Sequence, residues 1–133
     1  IYMYIYIYIY SVYIYIYMYI IYMYVCIFVC SSICLLMCYL PKTKKKVGLV
    51  RFTLENNVAL TSINISPSMR GQGLAKLCLS NSIIFFKENH FKSTEFKAEI
   101  KSNNLASRRA FEEVGFVFNR SENGVGYFTL SLA

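Results

Sequence analysis

The sequence predicts an α/β domain of three layers, with helices packed on a central sheet that is parallel in part. Three observations predict it. From Val47 onward, strand-like and helix-like runs follow one another in the order β-β-α-β-α-β-β. Turn residues sit at the joints of that pattern, at Asn56-Asn57, Pro67, Gly71, Gly73, Gly115 and Asn123-Gly124. A single helix separates the second strand from the third, and such a crossover returns the chain parallel to its start.

Val47 to Leu54 reads as the first of these strands, and Glu55-Asn56-Asn57 as the turn that ends it. Val58 to Ile65 is the second, with Leu60, Ser62 and Asn64 alternating with Thr61, Ile63 and Ile65. Ser66-Pro67 stops it, since proline cannot continue a central strand. A glycine loop follows, and then a helix from Leu74 to about Asn89. Leu74, Leu77, Cys78, Ile84 and Phe85 recur there at helical spacing. Cys78 reads as a small buried apolar residue. His90 sits at the helix end as a surface residue. Glu95 to Ile100 is the third strand. Asn104 opens a second helix through Glu113, with Ala106, Ala110, Phe111 and Val114 inward and Gly115 as its stop. Phe116 to Arg120 and Tyr127 to Leu132 form a closing hairpin about Asn123-Gly124.

The first forty residues are unlike this domain. They carry no charged residue and no histidine, and they hold 12 of the 13 tyrosines and four of the five cysteines. Ile-Tyr and Met-Tyr repeats fill residues 1–24 with period two, which is a β pattern, but both alternating residues are apolar or aromatic. Three readings stand side by side: an aggregation-prone strand, an apolar membrane span flanked by the basic linker 42–46, or a translated AT-repeat tract in which ATA and TAT codons give Ile and Tyr. The organisation expected is a low-complexity apolar segment 1–41, the linker 42–46 and a domain 47–133. Cys26, Cys30, Cys34 and Cys38 would form one stripe on a helix. Zinc sites use closer pairs combined with histidine, so the stripe reads as compositional bias. The net charge of +7 lies wholly from Lys42 onward, with four of the lysines in the linker. The remainder is only mildly basic, which suits an anionic small ligand better than a nucleic-acid groove.

The loop Arg70-Gly71-Gln72-Gly73-Leu74-Ala75 carries the most chemistry. Two glycines let the backbone approach a ligand, and the helix that follows aims its free N–H groups and positive end at the loop. That is an anion site, suited to phosphate or pyrophosphate. Read alone, it is also compatible with a plain strand-to-helix turn. It departs from a Walker A loop because Leu74 follows Gly73, and from a dinucleotide fingerprint because Lys76 stands where a third small residue belongs. What remains is Arg-x-x-Gly-x-Ala, from Arg70 through Gly73 to Ala75, directly after a strand ending Ile63-Asn64-Ile65. One helix and one strand later comes Asn104-Leu105-Ala106-Ser107, then Phe111, then Gly115-Phe116.

On these two blocks, residues 47–133 resemble the GNAT superfamily of N-acetyltransferases. The resemblance implies an acyl-CoA N-acyltransferase fold with a mixed central sheet, here lacking its first strand and helices. It implies acetyl-CoA as acyl donor and a primary amine as acceptor. The acceptor would be an amino sugar nucleotide or a protein amine. Arg70 and the backbone amides of Gly71, Gln72, Gly73, Leu74, Ala75 and Lys76 would hold the pyrophosphate. Ile63, Asn64 and Ile65 would pair with the pantetheine arm as an added strand, and Asn104 with Ser107 would contact the cofactor. Glu99 is the candidate general base; otherwise it is a solvent-facing strand residue. The family's usual acid, a tyrosine four residues before Gly-Phe, is here Phe111, which cannot donate a proton; Tyr127 is the remote alternative. No metal or nucleic acid is implied. The location implied is cytoplasmic, or membrane-anchored if residues 1–40 span a bilayer. A non-catalytic acyl-CoA-binding remnant is the alternative to an enzyme.

Overall fold

Residues 46–65 form the hairpin that their alternation predicts. Strand β3 (Lys46–Glu55) pairs antiparallel with β4 (Val58–Ile65) along its length, from Glu55↔Val58 to Gly48↔Ile65. The two turn residues, Asn56 and Asn57, both take positive φ, at 48° and 64°. That geometry matches the right-handed twist of the strands it joins, and asparagine tolerates it. The computed structural model describes residues 22–24, 33–40, 43–88 and 95–131. Its other elements are β1 (Tyr22–Tyr24), β2 (Ile33–Tyr39), a short 3-10 turn (Pro67–Met69), α1 (Leu74–Glu88), β5 (Glu95–Lys101), α2 (Leu105–Val114), β6 (Val117–Glu122) and β7 (Val125–Ser131).

The strands make one seven-stranded sheet in the order β1-β2-β3-β4-β5-β7-β6. Every neighbouring pair is antiparallel except β4 and β5, which α1 connects in parallel. Both helices lie on the same face and pack on each other. Under them Phe52 and Phe96 of the sheet meet Phe86 of α1, with ring centroids 4.6 Å (Phe52–Phe86), 5.6 Å (Phe86–Phe96) and 5.7 Å (Phe52–Phe96) apart. Burying aromatic side chains of this size contributes about 1.5–3 kcal/mol each. On the opposite face Arg51, Leu60, Ser62, Asn64, Lys97, Glu99 and Lys101 are exposed. The described residues thus supply two of the three layers expected, a sheet and one helical layer.

The sheet starts well before Val47. Strand β2 pairs with β3 from Ile33↔Thr53 to Tyr39↔Lys46, and Cys34, Leu36 and Cys38 are fully buried against the helical face. The segment 1–41 assigned outside the domain therefore contributes core residues through Ile33–Tyr39, while the period-two repeat of residues 1–24 lies outside the described residues except for Tyr22–Tyr24. This also corrects the helical stripe of cysteines. On a strand, residues four apart share a face, so Cys34 and Cys38 both point inward as packing residues. Cys26 and Cys30 lie outside the described residues, as do Asn89, His90 and residues 1–21. Among the described residues no helix is long and apolar enough to cross a membrane, and no cluster of three or more His, Cys, Asp or Glu residues could hold a metal ion. The membrane reading of residues 1–40 is not supported, because Ile33–Tyr39 is committed to the sheet.

Element edges moved little. The second helix starts at Leu105, with Asn104 as its cap, and ends at Gly115 with φ 116°. The final hairpin is longer than expected at its turn, since Asn123 and Gly124 (φ 51° and 75°) leave strand geometry intact on both sides. In α1 the buried arc is wider than Leu74, Cys78 and Phe85. Leu79, Ile83 and Phe86 are buried too, because the helix sits in the angle between the sheet and α2.

Candidate functional site

Strands β4 and β5 pair only over Val58↔Glu95, Ala59↔Phe96 and Leu60↔Lys97. Beyond that the sheet is split. β4 stays paired with β3 as far as Ile65, and β5 stays paired with β7 as far as Lys101, so among the described residues the two edges that face each other across the split have no strand partner. Unpaired strand edges keep backbone donors and acceptors available, and they accept an extended ligand as a substitute strand.

The glycine loop closes one end of the split. Ser66 N–H donates to Val47 O (2.8 Å), and buried Met69 anchors the 3-10 turn. Arg70 Nε donates to Ile65 O (3.0 Å), tying the loop to the end of β4. Gly71 and Gly73 take φ 77° and 71°, in the left-handed region. A Cβ on either would touch nothing within 4 Å, so backbone conformation rather than crowding requires glycine. Helix α1 then starts at Leu74 with no acidic residue in its first turn. Its free N–H groups and dipole therefore remain available to an anion. Across the split, Asn104 caps α2 by accepting from Ser107 N–H (3.2 Å).

Together these elements enclose a groove of about 680 Å³. Its walls include Ile63, Asn64, Ile65, Arg70, Gly71, Gly73, Leu74, Ala75, Lys76, Asn104 and Ser107. Of the cofactor residues expected from sequence, Gln72 alone is not on the wall; its amide instead donates to Ser68 O (3.4 Å). Sequence reasoning missed Met69, Ala106, Arg109, Ala110 and Glu113, which also line the groove. Four of them, at 106, 109, 110 and 113, form one stripe of α2 at helical spacing, which was the signal available. Ala106, expected inward, is exposed because its side of α2 faces the groove rather than the sheet. Arg109 adds a cation to Arg70 and Lys76 at the wall, and pairs with Glu113 at 3.1 Å.

Glu99 does not line the groove. Phe96, Ala98 and Ile100 of β5 point to the core, so Glu99 points out on the far face of the sheet. Phe111 is buried and packs edge-on against Phe116 at 4.9 Å, away from the groove wall. Tyr127 stands directly opposite Glu99 in the β5–β7 register. None of the described cysteines lines the groove. Burial pushes the Cys34 thiol up to about 12. The Cys78 thiol is pushed up by its hydrogen bond to Cys38 and then by burial. Such thiols are inert packing groups.

A sheet split at its one parallel junction, with a glycine loop and a helix N-terminus at the mouth, defines a protein that holds an extended ligand bearing an anionic group. The sequence model of the acetyltransferase (GNAT) family matches residues 7–116, and the chain belongs to that family. No curated protein matches it significantly. Solved structures share the fold. Spermidine N-acetyltransferase from Vibrio cholerae, in complex with CoA and spermine, superposes with a TM-score of 0.64 at 18% identity, over 75% of this chain and 66% of that one. The N-acetyltransferase PseH from Campylobacter jejuni, in complex with acetyl coenzyme A, gives 0.66 at 15% identity, over 78% and 71%. The ribosomal L7/L12 alpha-N-protein acetyltransferase RimL in complex with coenzyme A gives 0.65 at 16%, over 76% and 63%. The chain therefore spans about two thirds of the length of these proteins.

Proposed function

We propose that the chain transfers an acetyl group from acetyl-CoA to a primary amine by direct attack. The observation that carries this reading is the split between β4 and β5, which runs from the glycine loop to Asn104. The pyrophosphate is held by the amides of Gly71 to Lys76 and by Arg70, with Lys76 and Arg109 on the same wall. The pantetheine arm lies along Ile63 to Ile65 as the absent strand, with Asn104 and Ser107 on its other side. The thioester then sits within the split, open on the far face to an amine.

The amine nitrogen forms a bond to the thioester carbon, and the carbon–sulfur bond breaks. A backbone N–H at the end of β4 steadies the oxygen as negative charge develops on it. The ammonium proton must leave before or during attack, and Glu99, on the open face of the next strand, is the base. Phe111 is buried and cannot serve the leaving thiolate, so the second proton, lost from the nitrogen after attack, passes through solvent to the thiolate, which leaves as the thiol. The acceptor is an amino sugar nucleotide or a protein amine, and the location is cytoplasmic. Phe111 favours one second reading, a binder of acyl-CoA without turnover.

The test uses the full chain, because β2 belongs to the core. Acetyl-CoA is expected to raise its unfolding temperature, and acetylated product is expected with at least one amine of a panel. Absence of thermal protection removes the donor site. Protection without transfer to any amine supports the non-catalytic reading instead.

A further inference from the structure

On the face of the sheet away from the helices, one row of side chains crosses the split. Leu35, Arg51 and Ser62 are cross-strand neighbours on β2, β3 and β4. Glu99, Tyr127 and Arg120 are cross-strand neighbours on β5, β7 and β6. Leu60↔Lys97 sets the level of the two parallel strands, so Ser62 and Glu99, each two residues on, face each other over the split. Arg51 is one strand spacing from Ser62, and Glu99 lies beyond the unpaired gap, so the two stand further apart than the roughly 10 Å of two paired-strand spacings.

The charges of this face are partly cancelled. Lys97 pairs with Glu95 at 4.0 Å, and Arg120 pairs with Glu122 while its guanidinium lies 4.3 Å from the Tyr127 ring centroid. Among the described residues Arg51 and Lys101 form no ion pair, and the neighbours of Arg51 across the strands are Leu35 and Ser62, neither of which carries charge. The side of the split opposite the proposed base therefore presents a guanidinium free for a bidentate anion. A polycation would meet Arg51, Lys97 and Lys101 where it needs carboxylates.

We infer that the acceptor is a primary amine that itself carries a carboxylate or a phosphate. Arg51 binds that anion while the amine lies at the split beside Glu99. This rests on the acetyl-transfer reading above and names its substrate class.

The test measures kcat and KM of the full chain with acetyl-CoA on matched amines: 4-aminobutyrate against n-butylamine, glucosamine 6-phosphate against glucosamine, and spermidine. The anionic member of at least one pair is expected to exceed its partner at least tenfold in kcat/KM, and the pair that does so tells carboxylate from phosphate. Arg51→Gln is expected to cut that ratio at least fivefold, through KM for the anionic member. Lys45→Gln removes the same charge from an exposed position outside the row and is expected to leave the ratio alone. Ratios near one, spermidine as the best acceptor, or an Arg51→Gln loss shared equally by both members of a pair overturns the inference. No transfer to any amine also overturns it; acetyl-CoA protection measured in parallel then shows whether the donor site fails with it.

Discussion

Replacing Gly73 by alanine tests the link between loop conformation and donor binding. Its φ of 71° lies in the left-handed region, and a methyl there would meet nothing within 4 Å. The cost is thus backbone strain alone, about 1–2 kcal/mol for a residue with a Cβ. For a domain of this size that is a fall in unfolding midpoint of roughly 4–8 °C. If the loop escapes the strain by leaving positive φ, the amides of Gly73 and Leu74 turn away from the groove. Acetyl-CoA at a hundred times its Kd adds about 2.7 kcal/mol to the native protein, and a tenfold loss of affinity halves that to about 1.4 kcal/mol. Thermal unfolding with and without acetyl-CoA reads both numbers. Asparagine supplies the control, because this chain already holds Asn56, Asn57 and Asn123 at φ 48°, 64° and 51°. Gly73→Asn is therefore expected to cost less than Gly73→Ala on both counts. An unchanged midpoint with full acetyl-CoA protection in Gly73→Ala, or equal losses for Ala and Asn, refutes the reasoning.

Glu99→Gln is expected to lower kcat without weakening acetyl-CoA protection; an unaltered kcat dismisses Glu99 as base. Phe111→Tyr does not restore an acid, because the side chain is buried against Phe116. The added hydroxyl is expected to destabilise the chain by about 1–3 kcal/mol with no gain in rate, and a rate increase at unchanged stability contradicts that placement. Cys34 sets an alkaline limit. Burial raises its folded value to about 12 from the ordinary 9.0, so its stabilising contribution is complete below pH 9 and is lost as pH rises from 9.0 toward 12. Cys34→Val is expected to lose less stability than the native chain across that window, as read by urea unfolding; parallel losses count against burial as the cause.

The cofactor groove was largely legible in the sequence because its determinants are local. Glycine admits the positive φ that Gly71 and Gly73 take, and Arg70 to Lys76 occupies consecutive positions between a strand and a helix. The α2 wall was half legible. Asn104 and Ser107 carry a cap signal, whereas Arg109, Ala110 and Glu113 matter only because that stripe of the helix faces the split. The N-terminal strand was the least legible. A uniformly apolar run names no inward face, so Cys34, Leu36 and Cys38 could be assigned to a core only through their register with β3. The row from Arg51 to Glu99 was invisible for the same reason, since it depends on pairing between strands far apart in the chain.

The three-pair junction between β4 and β5 has a mechanical consequence. Among the described residues, the strands on one side of it come from residues up to Ile65, and those on the other from Glu95 onward. Across it, among the described residues, run three backbone pairings, the packing of α1 and α2, and the ring contacts of Phe52, Phe86 and Phe96. A ligand laid along Ile63 to Ile65 bridges two separately contiguous blocks. Its occupancy would then merge two units of hydrogen exchange into one, so the donor acts as a keystone of the fold as well as a reactant.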